Sequence, residues 1–405
     1  MNTTFWMDIP YLSFLLAAGY LGVLTIAWSS MLIGIRKWGD PWFVSPPEEI
    51  PPSSSDDLAS FPFVSVCVPA RNEEENIGHC VRSILESQWP NLELIVVDDR
   101  SEDNTRQVAE QAGQGHEGFR VIDGVEPRKN WAGKPWACYR AAKEAKGTFL
   151  LFVDADVQIH PLCIASMIAV AQKRNLTLLS YFGTWTVNSF WEKLLIPPIG
   201  WLIRGSIDLD KSNNPSYIEA FANGQLILFR RSDYIALDGH SMVQSEVLED
   251  VKLAQRVKQS GKSAEVRPAP WSFQVRLYRN LSEIINGYTK NMYEGLGRNA
   301  LMGFGAALFL FFGSLFPYLL LFGMIYGRMV LGWTVPSVYW IVWCFCVVLL
   351  QIQFRIEIEK KDNRPIGISW LQPIANAIMI WILLRSTLKV KVQWKGRNFV
   401  DGKAQ

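Results

Sequence analysis

From residue 10 to residue 35 the chain runs without one charged side chain, and about 20 apolar residues cross a bilayer. Such a stretch either spans a membrane or is removed as a secretory leader. No basic region precedes it and no small-residue cleavage site closes it, so a retained transmembrane helix is expected. Only Asp8 flanks its start, whereas Arg36 and Lys37 follow its end. The positive-inside bias puts the N-terminus outside the cell membrane and the next domain in the cytoplasm. Three further apolar segments lie late in the chain, at 300–326, 333–354 and 366–384. A composition of 49% apolar and 19% charged residues, with 17 Trp, agrees with a membrane protein. The connection IEIEKKDNRP carries Lys360, Lys361 and Arg364, directly after Arg355, and is expected on the cytoplasmic side. A full third span would carry the basic tail LKVKVQWKGRNFVDGKAQ outside, against the same bias. Pro373 permits a kinked or re-entrant return instead, and both paths stay open.

Between these apolar ends the text changes. SPPEEIPPSSSDDLAS reads as a solvated tether. Beyond it, FVSVCVPA, LELIVVDD and TFLLFVDAD read as buried parallel strands. NIGHCVRSILESQ and PWACYRAAKEAKG have the spacing of helices packed on a sheet, so the expected class is α/β. WEKLLIPPIGWLIRG fits an interfacial helix and a core helix broken by Pro197 and Pro198 equally well. SEIINGYTKNMYEGLGRN mixes aromatics with cations ahead of a span and is expected on the membrane surface. The expected organisation is an N-terminal transmembrane helix (1–44), a flexible linker (45–60), a cytosolic α/β domain (61–280), an interfacial segment (281–299), C-terminal transmembrane helices (300–390) and a basic tail (391–405).

Several classes are disfavoured. A net charge of +2, with dispersed basic residues, leaves no nucleic-acid footprint. The six cysteines form no C-x-x-C pair and the four histidines do not cluster with them in sequence, which argues against a disulfide framework and a zinc site. The spans carry almost no ionisable residues, unlike a pore or transporter.

The chemistry concentrates at strand ends. The loop PARNEEENI after the first strand has neither G-x-G-x-x-G nor a P-loop, so a nucleotide there needs side chains as well as backbone. The second strand ends at Asp98 and Asp99, on the edge where parallel sheets bind ligands. Asp99 fits either an acceptor for a uracil or ribose group or a turn acid before the next helix. The third strand runs into Asp154 and Asp156. Residues two apart on a strand share a side, so these carboxylates are expected to converge. Their repulsion makes sense beside a hard divalent cation, Mg²⁺ or Mn²⁺, which prefers oxygen ligands and bridges an acid to a diphosphate. A solvated turn is the plainer alternative. Lys134, in WAGKPWACYRAA, is placed to reach a phosphate or else is an ordinary surface lysine. In QSEVLEDVKLAQRVKQSG a helix opens with Glu249 and Asp250 and closes at Gly261. Helical neighbours diverge by about 100°, so only one of these acids is expected to address a site. The positive helix end is expected to keep that acid ionised, as a general base must be; a simple helix-dipole pair is the alternative.

In order, VPARNEEENI, VVDDRS, GK-x-x-A, D-A-D and LED resemble the family 2 glycosyltransferases with their GT-A fold, over residues 61–261. The resemblance implies that Pro69, Arg71, Glu73, Asp99, Lys134 and Asp154 face a nucleotide-sugar, that Asp156 holds the divalent cation and that Asp250 is the base. ANGQLILFRRSDY is similar to the family segment near sugar and acceptor, which puts Asn223, Gly224 and Gln225 there, with Glu249 and Tyr288. Processive members carry Q-x-x-R-W after the base. Here the region reads GYTKNMYEG, with Tyr288 in place of the Gln and Met292 in place of the Trp, which speaks against holding a growing polysaccharide. GYTKN, the flanking spans and the closing WKGRNF are similar to the branch associated with hopanoid and carotenoid glycosylation. That likeness implies one inverting transfer from a nucleotide-sugar, UDP-linked by expectation, to a hydroxyl or carboxyl of a lipid: a hopanoid, carotenoid, glycerolipid or sphingolipid. A polysaccharide synthase, a polyprenyl-phosphate sugar transferase and a non-catalytic nucleotide-sugar scaffold are the alternatives.

Overall fold

Short runs of Val, Ile, Leu and Phe with no polar alternation suit strands covered on both faces. In the computed structural model, which describes residues 5–37, 40–47, 61–246, 248–332, 338–390, 392–394, 397–400 and 403–404, they become ten strands of one α/β unit: β1 (Val64–Ala70), β2 (Leu92–Asp98), β3 (Phe119–Asp123), β4 (Phe149–Val153), β5 (Val157–Ile159), β6 (Leu178–Phe182), β7 (Thr184–Trp185), β8 (Leu226–Arg230), β9 (Ala264–Pro268) and β10 (Phe273–Val275). Seven form one sheet in the order β3-β2-β1-β4-β8-β6-β9, and β5-β10-β7 form a small second sheet. β1, β2, β3 and β4 are parallel neighbours, while β8 runs antiparallel to both β4 and β6. Helix Gly133–Glu144 lays Ala137, Cys138 and Ala141 into the same core as Cys67, Ile95, Leu150 and Phe152.

The chain falls into two compact units. The α/β unit takes Gly39–Val187, Ile207–Tyr278 and Gln393–Gln405; the other takes Met1–Trp38, Asn188–Ser206 and Arg279–Val392. Within the second, four helical stretches are long and apolar enough to cross a membrane among the described residues: Phe14–Lys37, Ala300–Met329, Val338–Lys361 and Ile366–Thr387. These support membrane association. Helix Phe190–Gly205 also belongs to this unit, opened by a capping box of Ser189 and Glu192. It continues through Pro197 and Pro198, so the break that one of the two sequence readings implied does not occur. The connection IEIEKKDNRP is helical through Lys361, and only its last four residues, Asp362 to Pro365, leave the helix. Most of the expected linker, 48–60, lies outside the described residues. The backbone of the tail forms three short strands, Val392–Trp394, Arg397–Val400 and Lys403–Ala404.

Candidate active site

The parallel strands deliver their functional residues at their C-terminal ends, the usual ligand edge of an α/β sheet. At the end of β4, Asp154 N–H donates to Gln225 O at 3.1 Å, and Val157 N–H donates back to Asp154 O at 3.1 Å. The strand has therefore ended at Val153, and Asp154–Ala155–Asp156 is a tight turn into β5. Asp154 and Asp156 are therefore not alternate residues of one strand, as expected, and of the two only Asp154 lines the pocket described below. The buried Cys80 thiol donates to Asp154 O at 3.6 Å. Burial and the charges of Asp156, Asp154 and Glu73 push that thiol well above its ordinary range.

One pocket is lined by Pro69, Lys134, Phe152, Asp154, Gly224, His240, Glu249 and Asp250, with Cys138, Val153 and Ile227 beneath. Lys134 stands in the first turn of its helix, and its Nζ lies 2.7 Å from Asp154 Oδ1 and 2.9 Å from Glu249 Oε1. Burial opposes its charge, but the two carboxylates outweigh burial and hold the ammonium well above the usual lysine range. Asp250 is fixed by two backbone donors, Gly224 N–H to Oδ2 at 2.7 Å and Val251 N–H to Oδ1 at 2.8 Å. Gly224 is required by space: a Cβ there would lie 2.8 Å from Asp250 Oδ2.

Two expectations about this helix start are corrected. Glu249 and Asp250 both line the pocket, because the preceding Leu248 is not helical and the longer Glu side chain reaches back to Lys134. The helix end also does not keep Asp250 fully ionised at neutral pH. Burial and the adjacent Glu249 push its carboxyl up to about 7, against the lowering pull of Lys134 and of the two N–H bonds. A carboxyl poised near neutrality suits general-base work better than a strongly acidic one.

The remaining sequence candidates sort by location. Arg71, Glu73 and Asp99 meet in a neighbouring loop cluster off β1 and β2 and do not line this pocket. Arg71 Nη1 donates to Asp99 O at 2.9 Å, Glu73 N–H donates to Thr105 Oγ1 at 2.7 Å, and Asp99 N–H donates to Ala70 O at 2.7 Å. Asn223 and Gln225 brace the segment that holds Asp154 and Asp250: Gln225 Oε1 accepts from Trp185 Nε1 at 3.2 Å and from Asn223 Nδ2 at 3.1 Å. Tyr288 is buried on helix Leu281–Gly295 of the apolar unit and is not among the pocket residues. Sequence reasoning missed His240. Its Nδ1 lies 2.9 Å from Tyr234 Oη, and burial with the nearby Lys134 lowers it to about 3, so it stays neutral. No motif surrounds it; only its place after the left-handed Asp238 and Gly239 marks the turn.

Asp154 and Asp156 offer oxygen donors, the type a hard divalent cation takes. Among the described residues no group of three His, Cys, Asp or Glu side chains is ready-made for a metal, and Asp154 is engaged by Lys134. Mg²⁺ and Mn²⁺ bind through one or two carboxylates, with substrate phosphates and water supplying the rest, and the turn at Asp156 offers that number.

Residues 65–238 match the family model described as glycosyl transferase family 2. The chain is 27% identical over 261 residues to the 4,4'-diaponeurosporenoate glycosyltransferase of Staphylococcus aureus (strain USA300). That match covers 62% of this chain and 66% of the relative, just under two thirds of its length. In fold, the chain resembles a mannosyltransferase from Pyrobaculum calidifontis solved with GDP-Man and Mn²⁺, with a TM-score of 0.53 at 17% identity, covering 92% of this chain and 98% of that one. The strand order, the acids at the strand ends and these likenesses agree: the chain has the fold of the GT-A glycosyltransferases, and its residues 65–238 are similar to a family 2 glycosyltransferase domain.

Proposed function

We propose that the protein is a membrane-bound, inverting glycosyltransferase that moves one sugar from a nucleotide-sugar to a hydroxyl of a lipid acceptor, with its catalytic unit on the cytoplasmic side of the cell membrane. The observation that carries this reading is the pocket in which the Lys134 ammonium, bridging Asp154 and Glu249, stands beside an Asp250 carboxyl poised near pH 7. Asp250 takes the proton from the acceptor hydroxyl as that oxygen attacks the anomeric carbon from the face opposite the leaving diphosphate. One displacement turns an α-linked donor into a β-linked product. Lys134 lies where it can turn from its carboxylates toward the departing phosphate oxygens. A divalent cation held at Asp156 beside Asp154 would supply further neutralisation of the diphosphate. Arg71, Glu73 and Asp99 would enclose the nucleoside end, and the braced segment from Asn223 to Gln225 keeps base and donor site in register.

The lipid acceptor is supported by the four membrane-length helices and by the carotenoid substrate in the name of the Staphylococcus aureus relative. That name also denotes a carboxylate acceptor, which needs no base. The test is release of nucleoside diphosphate by the purified protein in lipid with Mn²⁺, across a panel of nucleotide-sugars. Wild type is compared with Asp250→Asn. Release with one donor that requires added membrane lipid and falls by about 10²–10⁴-fold in the variant supports a hydroxyl acceptor. Release undiminished in the variant supports the carboxylate reading, and release without lipid contradicts the lipid acceptor.

A further inference from the structure

Helix Phe190–Gly205 holds Pro197 and Pro198 in its interior and is nevertheless continuous. A proline has no N–H, so the carbonyls four residues earlier, those of Lys193 and Leu194, lose their helical donors. One side chain from a different helix meets both. Arg355 Nη2 donates to Lys193 O at 2.7 Å, and Nη1 donates to Leu194 O at 3.2 Å. Arg355 is only 1% exposed and is ion-paired to Glu359 Oε1 at 2.6 Å; its Nη1 also donates to Gln372 Oε1 at 3.3 Å. A guanidinium carries its donors in a fixed planar fork, so it can serve two successive carbonyls where an ammonium is a single point of charge.

The same unit repeats the arrangement elsewhere. Pro317 deprives Gly313 of its donor next to the π-helical turn Phe311–Leu315, and Gly313 O accepts from Trp28 Nε1 at 3.0 Å and Gln351 Nε2 at 3.4 Å. Apolar surroundings supply no water for such carbonyls, so protein donors must.

We propose that Arg355 is a positioning residue that replaces the two backbone donors removed by Pro197 and Pro198. It thereby keeps helix Phe190–Gly205 continuous, and Glu359 aims the guanidinium. An arginine present only to neutralise Glu359 would be indifferent to those prolines. The variants are therefore Arg355→Lys, which keeps the charge, Pro197→Ala/Pro198→Ala, which restores the backbone donors, and the triple variant. Amide hydrogen exchange across 190–205 is followed by mass spectrometry in nanodiscs on the full chain. Arg355→Lys should speed exchange in this helix at least about tenfold, and the triple variant should return it to within about threefold of wild type. Should Arg355→Lys not yield folded protein, recovery of folded protein in the triple variant gives the same support. Unchanged exchange in Arg355→Lys, or a triple variant as fast or as poorly folded as Arg355→Lys, would overturn the proposal.

Discussion

Placing a methyl group on Gly224 should disable the reaction while leaving the fold and the donor site in place. A Cβ there would lie 2.8 Å from Asp250 Oδ2 and 3.2 Å from its Cβ and Cγ. Ordinary contact begins at 3.4 Å, so the carboxylate is about 0.6 Å too close and must withdraw. Withdrawal also stretches the 2.7 Å hydrogen bond from Gly224 N–H. A misplacement of about 1 Å at a reacting group lowers rates about 10²-fold. A shift of roughly half that size, with a weakened charged hydrogen bond, should lower kcat by about 10- to 100-fold. Donor KM should stay within about threefold, because the three atoms nearest the new methyl all belong to Asp250 and none to Lys134 or Asp154. The weakened N–H bond lowers the Asp250 carboxyl less, so the acid limb of the kcat profile should move to higher pH. The assay is nucleoside diphosphate release at saturating donor and lipid, from pH 5 to 9. Gly205→Ala serves as control, since nothing lies within 4 Å of a Cβ at that position. A Gly224→Ala enzyme with wild-type kcat and pH profile would refute the placement of Asp250 as base.

Other consequences follow from the same pocket. Because Glu249 helps raise Asp250, Glu249→Gln should move the acid limb of kcat below its wild-type position near pH 7, read from the pH–rate profile. Asp250 holds its proton up to about pH 7 in the folded protein but only to about 3.8 when unfolded. Between those values the folded state binds more protons, so its stability falls as pH rises. Thermal melts should accordingly show Asp250→Asn more stable than wild type at pH 8, an advantage that shrinks as pH falls toward 4, at about 2–4 °C for each kcal/mol relieved. Lys134→Met leaves Asp154 and Glu249 facing each other without a cation, and binding assays should show donor affinity reduced more than about tenfold. Removing divalent cations with EDTA should abolish turnover, and Mn²⁺ or Mg²⁺ should restore it.

The parts of this molecule that were legible in the sequence are those whose physics is local. β1, β2 and β4 announce themselves because both faces are buried and no polar alternation is possible. β3 does not, since each of its first four residues is only half-buried and its run is short. The acids at the strand ends were visible as residue types, but their geometry was not. Asp154 leaves β4 in a turn anchored by Gln225 O, 71 residues further along the chain, and no local pattern encodes that bond. Glu249 and Asp250 share one pocket because the helix start is open at Leu248 and Lys134 draws the Glu side chain back. The protonation of Asp250 is set by burial, which a motif does not carry. His240 escaped for the same reason, as its partners Tyr234, Phe152 and Lys134 meet only in the folded chain. The Pro197–Pro198 step left a broken helix open as one of two readings because Arg355, its replacement donor, lies more than 150 residues away.

The most direct test of the account is the fate of the sugar. The protein in lipid is given a labelled α-linked nucleotide-sugar and Mn²⁺, the products are partitioned between water and organic solvent, and the anomeric configuration is read by NMR. The account predicts label in the organic phase as a lipid carrying one β-linked sugar, made by wild type and not by Asp250→Asn. A long polymer, an α-linked product, or label confined to water-soluble species would contradict it.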